Sequence, residues 1–171
     1  MDIRTQLLVE HSRNNADKII AYIGDDALKF SILMDLFFHD EYRVVQRSAH
    51  VLSSVVEKNP KLIQPYFEKI IEYIQVDKTP VAVQRNILRL LQFVEVPKRY
   101  HGQLIDVCFN FILDPKAAIA VRAFSMFVAN NIVENYPEVK TEFLLILENM
   151  SPDEPPAIKS RLRKLLPQLR I

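Results

Sequence analysis

Four arginines recur along the chain at nearly constant intervals, each within a similar apolar segment. The segments are RVVQRSAHVL, VAVQRNILRLL, AIAVRAFSMF and AIKSRLRKLL, and they contain Arg47, Arg85, Arg122 and Arg161. The intervals between these arginines are 38, 37 and 39 residues. A fixed period of this size is typical of an array in which one supersecondary unit is stacked several times. The sequence therefore predicts a row of similar units.

Other positions keep the same register as the repeated arginines. An aspartate stands seven or eight residues before each arginine, an apolar or small residue three before it, and a large apolar residue five after it. The aspartates are Asp40, Asp77, Asp114 and Asp153. The other two sets are Val44, Ala82, Ile119 and Ile158, and then Leu52, Leu90, Phe127 and Leu166. Agreement at several positions over four units is hard to obtain by chance.

Each unit resolves into two amphipathic segments separated by a break. In residues 61–75 the apolar side chains fall on one helical face, and Pro80 then suits the first turn of a second helix. The chain has only two glycines, Gly24 and Gly102, which argues against the tight turns of β-hairpins. Its ten prolines lie mostly between the predicted helices. The fold class predicted is therefore all-α.

The boundaries of the repeats follow from these breaks. We expect one domain over residues 1–171, with capping helices in 1–24 and helix-pair repeats at 26–57, 61–94, 99–135 and 138–170. The predicted helices are 26–38 with 42–57, 61–75 with 80–94, 99–113 with 116–135, and 138–150 with 155–170. Gly24 is predicted to cap the atypical opening pair at 2–23.

The pattern over roughly 26–171 resembles HEAT repeats, whereas the 34-residue TPR period fits less well. The resemblance implies an α-α superhelix, or solenoid, of about five antiparallel helix pairs. It also implies a ladder of hydrogen-bonded aspartates and arginines between neighbouring repeats. The matching residues are Asp40, Arg47, Asp77, Arg85, Asp114, Arg122, Asp153 and Arg161. On this basis Arg85 is a structural ion-pair member, and Arg85→Ala is expected to destabilise the protein more than Arg89→Ala.

Residues able to carry out catalysis do not form a recognisable motif. The glycine-rich phosphate loops, the H-E-x-x-H motif and the C-x-x-C motif are missing. The histidines at positions 11, 39, 50 and 101 never fall three or four residues apart. Cys108, among leucine and isoleucine, is interpreted as a packed core thiol. We predict no enzyme activity, no cofactor, no metal and no small-molecule substrate.

The second helices of such repeats are expected to line the inner surface of the solenoid. The positions predicted to face outward there are Gln46, His50 and Ser54, then Gln84, Leu88 and Gln92, then Val121, Ser125 and Ala129. This stripe is mildly polar and nearly uncharged. It favours a protein or peptide partner, and therefore a non-enzymatic protein-interaction scaffold or adaptor.

A nucleic-acid-binding HEAT-like protein, similar in shape to the alkylation-repair glycosylases, is the alternative. Residues 1–41 carry four basic and eight acidic side chains, whereas residues 157–171 carry five basic and no acidic ones. Lys159, Arg163, Lys164 and Arg170 could contact phosphates, an acidic partner or the acidic end of a second copy. They also suit the dipole of their own helix. The chain has no tryptophan and no basic inner stripe, so a glycosylase site is not evident.

Membrane and targeting signals are not apparent in the sequence. There is no apolar run of 18 residues, and the N-terminal segment lacks the pattern of a signal peptide. The single cysteine, Cys108, fits a reducing compartment. We expect a cytoplasmic protein without a membrane partner.

Overall fold

The computed structural model of the protein describes residues 1–75 and 79–170. Over these residues it contains ten α-helices and no strand, which confirms the all-α class. The helices are α1 Ile3–Val9, α2 Arg13–Ile23, α3 Ala27–His39, α4 Tyr42–Lys58, α5 Phe67–Ile74, α6 Val81–Leu91, α7 His101–Leu113, α8 Ile119–Val133, α9 Pro137–Glu148 and α10 Pro156–Leu169. Short 3₁₀ segments at Pro60–Tyr66 and Lys98–Tyr100 precede α5 and α7.

The chain divides into two compact units, Met1–Glu95 and Val96–Ile171. In the first unit α1 packs on α2, α3 on α4, and α5 on α6, while α4 also contacts α2 and α6. In the second unit α7 packs on α8 and α9 on α10, while α8 also contacts α9 and α10. Consecutive helices thus form the expected pairs within each unit. The assignment of residues 1–171 to one domain stays a prediction.

Two predicted helices start later than expected. The segment at 61–75 begins as a 3₁₀ helix because Pro65 has no amide hydrogen, and regular α-helix starts only at Phe67. α8 begins at Ile119 rather than at residue 116, because a turn follows α7. In that turn the Asp114 carboxylate accepts a hydrogen bond from the Lys116 amide at 2.9 Å.

Gly24 ends α2, as predicted. Its φ of +52° is a backbone conformation that residues with a side chain rarely adopt, and its amide donates to the carbonyl of Ile20 at 2.9 Å. The carbonyl of Gly24 accepts a hydrogen bond of 3.0 Å from the side-chain amide of Asn59, which follows α4. The ends of α2 and α4 are therefore tied together in the first unit.

The face that α8 buries differs from the face that α4 buries. Gln46, His50 and Ser54 are exposed or half-buried on α4. The residues at the same distances from the repeated arginine on α8 are Val121, Ser125 and Ala129, and all three are buried. The exposed positions of the two helices are offset by about one residue, which corresponds to a rotation of about 100° around the helix axis.

Candidate functional site

Arg122 is the buried member of the four repeated arginines, with only 5% of its surface exposed. Its guanidinium donates two hydrogen bonds of 2.7 Å to the carboxylate of Glu154, just before α10. It also donates to the carbonyl of Ile112 on α7, at 3.2 and 3.3 Å. A planar guanidinium suits such a two-pronged carboxylate contact. Arg122 thus joins three elements of the second unit.

Arg47 and Arg161 are half-buried, and each contacts the preceding helix pair of its own unit. Arg47 Nη1 donates a hydrogen bond of 2.6 Å to the carbonyl of Leu7 on α1. The Arg161 guanidinium lies over the ring of Phe127 on α8, 4.0 Å from its centroid. Partial burial lowers the pKa of Arg161 from its usual value. Both arginines therefore act between helix pairs, but without an aspartate.

The repeated aspartates contact other groups. Asp40 binds the guanidinium of Arg4 at 2.7 Å, and this contact lowers the pKa of Asp40. Asp114 caps the turn after α7, and the Asp153 amide donates to Ser151 Oγ at 3.1 Å. Asp77 lies outside the described residues.

In the part of the chain that the structure describes, the prediction of an Asp–Arg ladder is therefore wrong. No repeated aspartate there forms an ion pair with a repeated arginine. The physical reason is that the Asp40 carboxylate is paired with Arg4, and the Asp114 carboxylate accepts a hydrogen bond from the backbone of its own turn. The longer side chain of Glu154, next to Asp153, reaches Arg122 instead.

Arg85 is the exception among the repeated arginines, because its side chain is exposed. It forms no ion pair with another described residue, and its predicted partner Asp77 lies outside the described residues, so its role as a structural ion-pair member stays a prediction. The neighbouring Arg89 does form one, with Glu57 of α4 at 3.2 Å. Arg85 faces a groove on the surface of the first unit.

This groove has a volume of about 800 Å³ and is formed by three helices, α2, α4 and α6. Each helix presents residues three or four positions apart, which places them on one face. Its lining residues are Arg13, Asp17, Gln46, His50, Ser54, Glu57, Lys58, Arg85 and Arg89, together with His11, Ser12 and Ile20 of the first helix pair. The groove thus collects Gln46, His50 and Ser54, three of the residues predicted to contact a partner.

Positive charge exceeds negative charge in the groove. Two of its carboxylates are engaged locally, Asp17 with Arg13 at 3.8 Å and Glu57 with Arg89 at 3.2 Å. Lys58 and Arg85 have no such partner among the described residues. Burial and the nearby charges of Arg89, His11 and Arg85 lower the pKa of His50, while Asp17 opposes the shift. The groove around Gln46, His50 and Ser54 therefore carries more positive charge than the nearly uncharged stripe expected there.

The predicted stripe on α6 and α8 is also corrected. On α6 the groove is lined by Arg85 and Arg89, while Leu88 is fully buried. Gln84 and Gln92 are half-buried, and Gln92 donates to the carbonyl of Leu88 at 3.3 Å. On α8 the three predicted positions are in the core because of the rotation of that helix. The signal that could have found the α6 stripe is the i, i+4 spacing of its two arginines.

A second groove, of about 500 Å³, lies between α9 and α10 in the second unit. It brings together Lys159, Arg163 and Arg170 of the predicted partner-binding set, next to apolar side chains that include Leu162 and Leu166. Arg170 is paired with Glu148 at 2.9 Å. Lys164 is exposed but is not part of this groove lining.

Cys108 and His101, two groups with catalytic potential, are buried in the second unit. Burial raises the pKa of the Cys108 thiol to about 12, so the thiol is not an activated nucleophile. His101 is buried, with Nδ1 3.0 Å from the Tyr136 hydroxyl and Nε2 2.8 Å from the carbonyl of Val96. Across residues 1–75 and 79–170, no cluster of three or more His, Cys, Asp or Glu side chains could bind a metal ion.

Among the helices that the structure describes, none combines the length and apolar character needed to cross a bilayer.

The helix pairs and their surface grooves define an α-helical repeat scaffold. A family model described as HEAT repeat domain matches residues 3–169, and the chain therefore belongs to the HEAT repeat family. The match extends the resemblance, seen from about residue 26 onward, to the opening pair as well. Searches of curated proteins and of solved structures gave no match.

Proposed function

We propose that this protein is a non-enzymatic protein-interaction scaffold, and that the groove of α2, α4 and α6 binds an extended segment of a partner protein. The observation that carries the proposal is the groove itself, in which three packed helices present polar side chains along one face. A binding surface on rigid elements needs little reordering when a partner arrives.

The side chains of the groove match the needs of a polypeptide. Each residue of an extended segment offers one amide donor and one carbonyl acceptor to its surroundings. Gln46 can serve as donor and acceptor, and Arg85 can donate to several carbonyls. The volume of about 800 Å³ suits a short stretch of chain rather than a whole domain. The family membership supports a scaffold of this kind.

Peptide display tests this proposal directly. A library of random peptides of about twelve residues, a length that spans roughly 40 Å when extended, is selected on the intact protein. We expect enriched peptides to bind the wild type and to lose binding to Gln46→Trp, which fills the groove. Gln64→Trp, at an exposed position in the Pro60–Tyr66 segment, is the matched control. Circular dichroism checks that both variants stay folded. Equal binding to both variants, or no enrichment, would contradict the proposal.

Binding of nucleic acid is the second candidate function, because Lys159, Arg163 and Arg170 line one groove. Three cations could contact only a few phosphates, and Arg170 is already paired with Glu148. Fluorescence anisotropy with labelled random duplex and single-stranded DNA, at about 50 and 200 mM salt, tests this alternative. Micromolar binding that weakens with salt and is lost in Arg163→Gln would support it.

We also propose that the protein acts in the cytoplasm. Its cysteine content supports this location, since the single thiol is buried and free and a disulfide framework is excluded. Imaging of the tagged protein in intact cells tests this location.

A further inference from the structure

The groove of the first unit contains two cations, Lys58 and Arg85, that pair with no acidic side chain in residues 1–75 and 79–170. The pairs Arg13–Asp17 and Arg89–Glu57 each involve one carboxylate that lines the groove. Arg85 and Lys58 are exposed and pair with no other described side chain. The other repeated arginines, Arg47, Arg122 and Arg161, are buried or half-buried and are bound to a carbonyl, a carboxylate or a ring. Arg85 makes none of these contacts with the residues that the structure describes, so its position in the groove calls for another explanation.

The groups around Arg85 reinforce its positive field. Arg89 lies one turn away on α6, and burial together with the charges of Arg89, His11 and Arg85 lowers the pKa of His50 on α4. A negatively charged partner would relieve this repulsion, whereas a basic segment would increase it. Charge complementarity therefore points to an acidic partner.

A polypeptide fits this groove better than a nucleic acid does. Duplex DNA carries one negative charge for about every 1.7 Å of its axis, and several of its phosphates would lie next to carboxylates. Asp17 and Glu57 both line the groove. A peptide can place carboxylates at selected positions and neutral residues beside Asp17 and Glu57. Side chains on one face of an extended segment are about 6.6 Å apart, which allows such a choice.

We propose that the groove recognises an acidic extended segment of a partner protein, with Arg85 as the main carboxylate-binding residue and Lys58 as a second one. This inference rests on the proposed function, since it names the class of peptide that the same groove binds. Arg85 would bind a carboxylate through two parallel N–H donors, a geometry that lysine cannot offer.

The test compares two labelled peptides of about twelve residues, one alternating glutamate with alanine and one alternating glutamine with alanine. Fluorescence anisotropy with the full chain measures both affinities. We expect tighter binding of the glutamate peptide, and a loss of about tenfold or more in Arg85→Gln, because a hydrogen bond to a charged group contributes about 1.5–3 kcal/mol. Arg43→Gln is the matched control, since Arg43 is exposed on α4 and does not line the groove.

The outcomes separate this inference from the proposed function. Equal affinity for the two peptides, or an equal loss in Arg85→Gln and Arg43→Gln, would overturn the acidic preference. If peptide display nevertheless yields peptides whose binding is lost in Gln46→Trp, the scaffold function is supported and the recognition of acidic segments is rejected. Tighter binding of single-stranded DNA of the same net charge, abolished in Arg85→Gln, would assign the groove to nucleic acid and overturn the inference. Selective loss of binding to the glutamate peptide in Arg85→Gln supports the recognition of acidic segments.

Discussion

Arg85 and Arg122 occupy the same position in two consecutive repeats, but their surroundings are opposite. Arg122 is buried in the second unit, where it binds Glu154 and the carbonyl of Ile112. Arg85 is exposed in the first unit and faces a groove. The same residue type at the same repeat position thus binds a buried carboxylate in one unit and lines a surface groove in the other. Recurrence of a residue therefore does not by itself establish its role.

The difference arises from helix rotation. An offset of about one residue turns a helix by about 100°, which is enough to move a side chain from the surface to the core. α6 exposes Arg85 and buries Leu90, whereas α8 buries Arg122 and leaves the corresponding Phe127 half-buried, so Arg122 turns inward toward α7 and Glu154. A buried charge needs a partner, and Glu154 provides it.

The largest expected effect on the free energy of unfolding comes from substitution of Arg122. Replacement of Arg122 by methionine keeps an apolar stem but leaves Glu154 without its partner, and only 11% of the Glu154 side chain is exposed. We expect a loss of about 3–5 kcal/mol in the free energy of unfolding, because an uncompensated buried charge is costly. Urea unfolding followed by circular dichroism measures it.

A second substitution sharpens the interpretation of this result. The double variant Arg122→Met/Glu154→Leu replaces the whole pair by apolar side chains, which is often nearly neutral. We therefore expect it to recover most of the lost stability. If the double variant is as unstable as Arg122→Met alone, then packing or the contact with Ile112, and not the unpaired carboxylate, dominates.

Arg47 is expected to show an intermediate effect. Its single hydrogen bond to the carbonyl of Leu7 holds α4 against α1, and the side chain is half-buried. Arg47→Met should cost about 1.5 kcal/mol, the lower end of the range for a hydrogen bond from a charged donor. Arg43→Met, at an exposed position of the same helix, is the control and should change the urea midpoint little. Equal midpoints for the two variants would contradict this role of Arg47.

The helix pairs could be predicted because each carries a clear local signal. Proline and aspartate mark the breaks, and an apolar stripe marks the inner face of α4 and α5. Gly24 could be recognised as a cap for the same reason, since glycine tolerates the required φ of +52°.

The partners of the arginines could not be predicted from the sequence. α8 carries apolar residues around most of its circumference, so its pattern does not fix which face is buried. Glu154 stands next to Asp153, and a shift of one residue in a turn decides which carboxylate reaches the guanidinium. The ion pair of Arg89 with Glu57 depends on the distance between α4 and α6, which no local pattern contains.

A smaller effect is expected when Arg85 and Arg89 are compared. Arg89→Ala removes a partly exposed pair with Glu57, which is worth about 0–1 kcal/mol. Arg85→Ala removes no described ion pair and should change the free energy of unfolding by less than about 0.5 kcal/mol. This order is the reverse of the one expected from the repeat alone. A clearly larger loss for Arg85→Ala in urea unfolding would restore Arg85 to a structural role.

The smallest effect is a pH dependence that arises at His50. Its pKa is lower in the folded protein than the usual 6.5, so the unfolded chain takes up the proton first as the pH falls. The contribution of neutral His50 is fully present above pH 6.5 and is lost as the pH drops through this value toward the folded pKa. The groups that face His50 in the groove are His11, Arg13 and Asp17 from the first pair, Glu57 and Lys58 of α4, and Arg85 and Arg89 of α6.

His50→Gln should therefore lose less stability than the wild type between about pH 7.5 and pH 5, because the variant has no group there to protonate. Urea unfolding at both pH values measures this difference, and titrations common to the two proteins cancel. Arg85→Gln should also reduce the pH dependence, since one of the charges that oppose protonation of His50 is removed. If Arg85→Gln leaves the dependence unchanged while His50→Gln removes it, burial and the charges of Arg89 and His11 lower the His50 pKa, and Arg85 does not contribute.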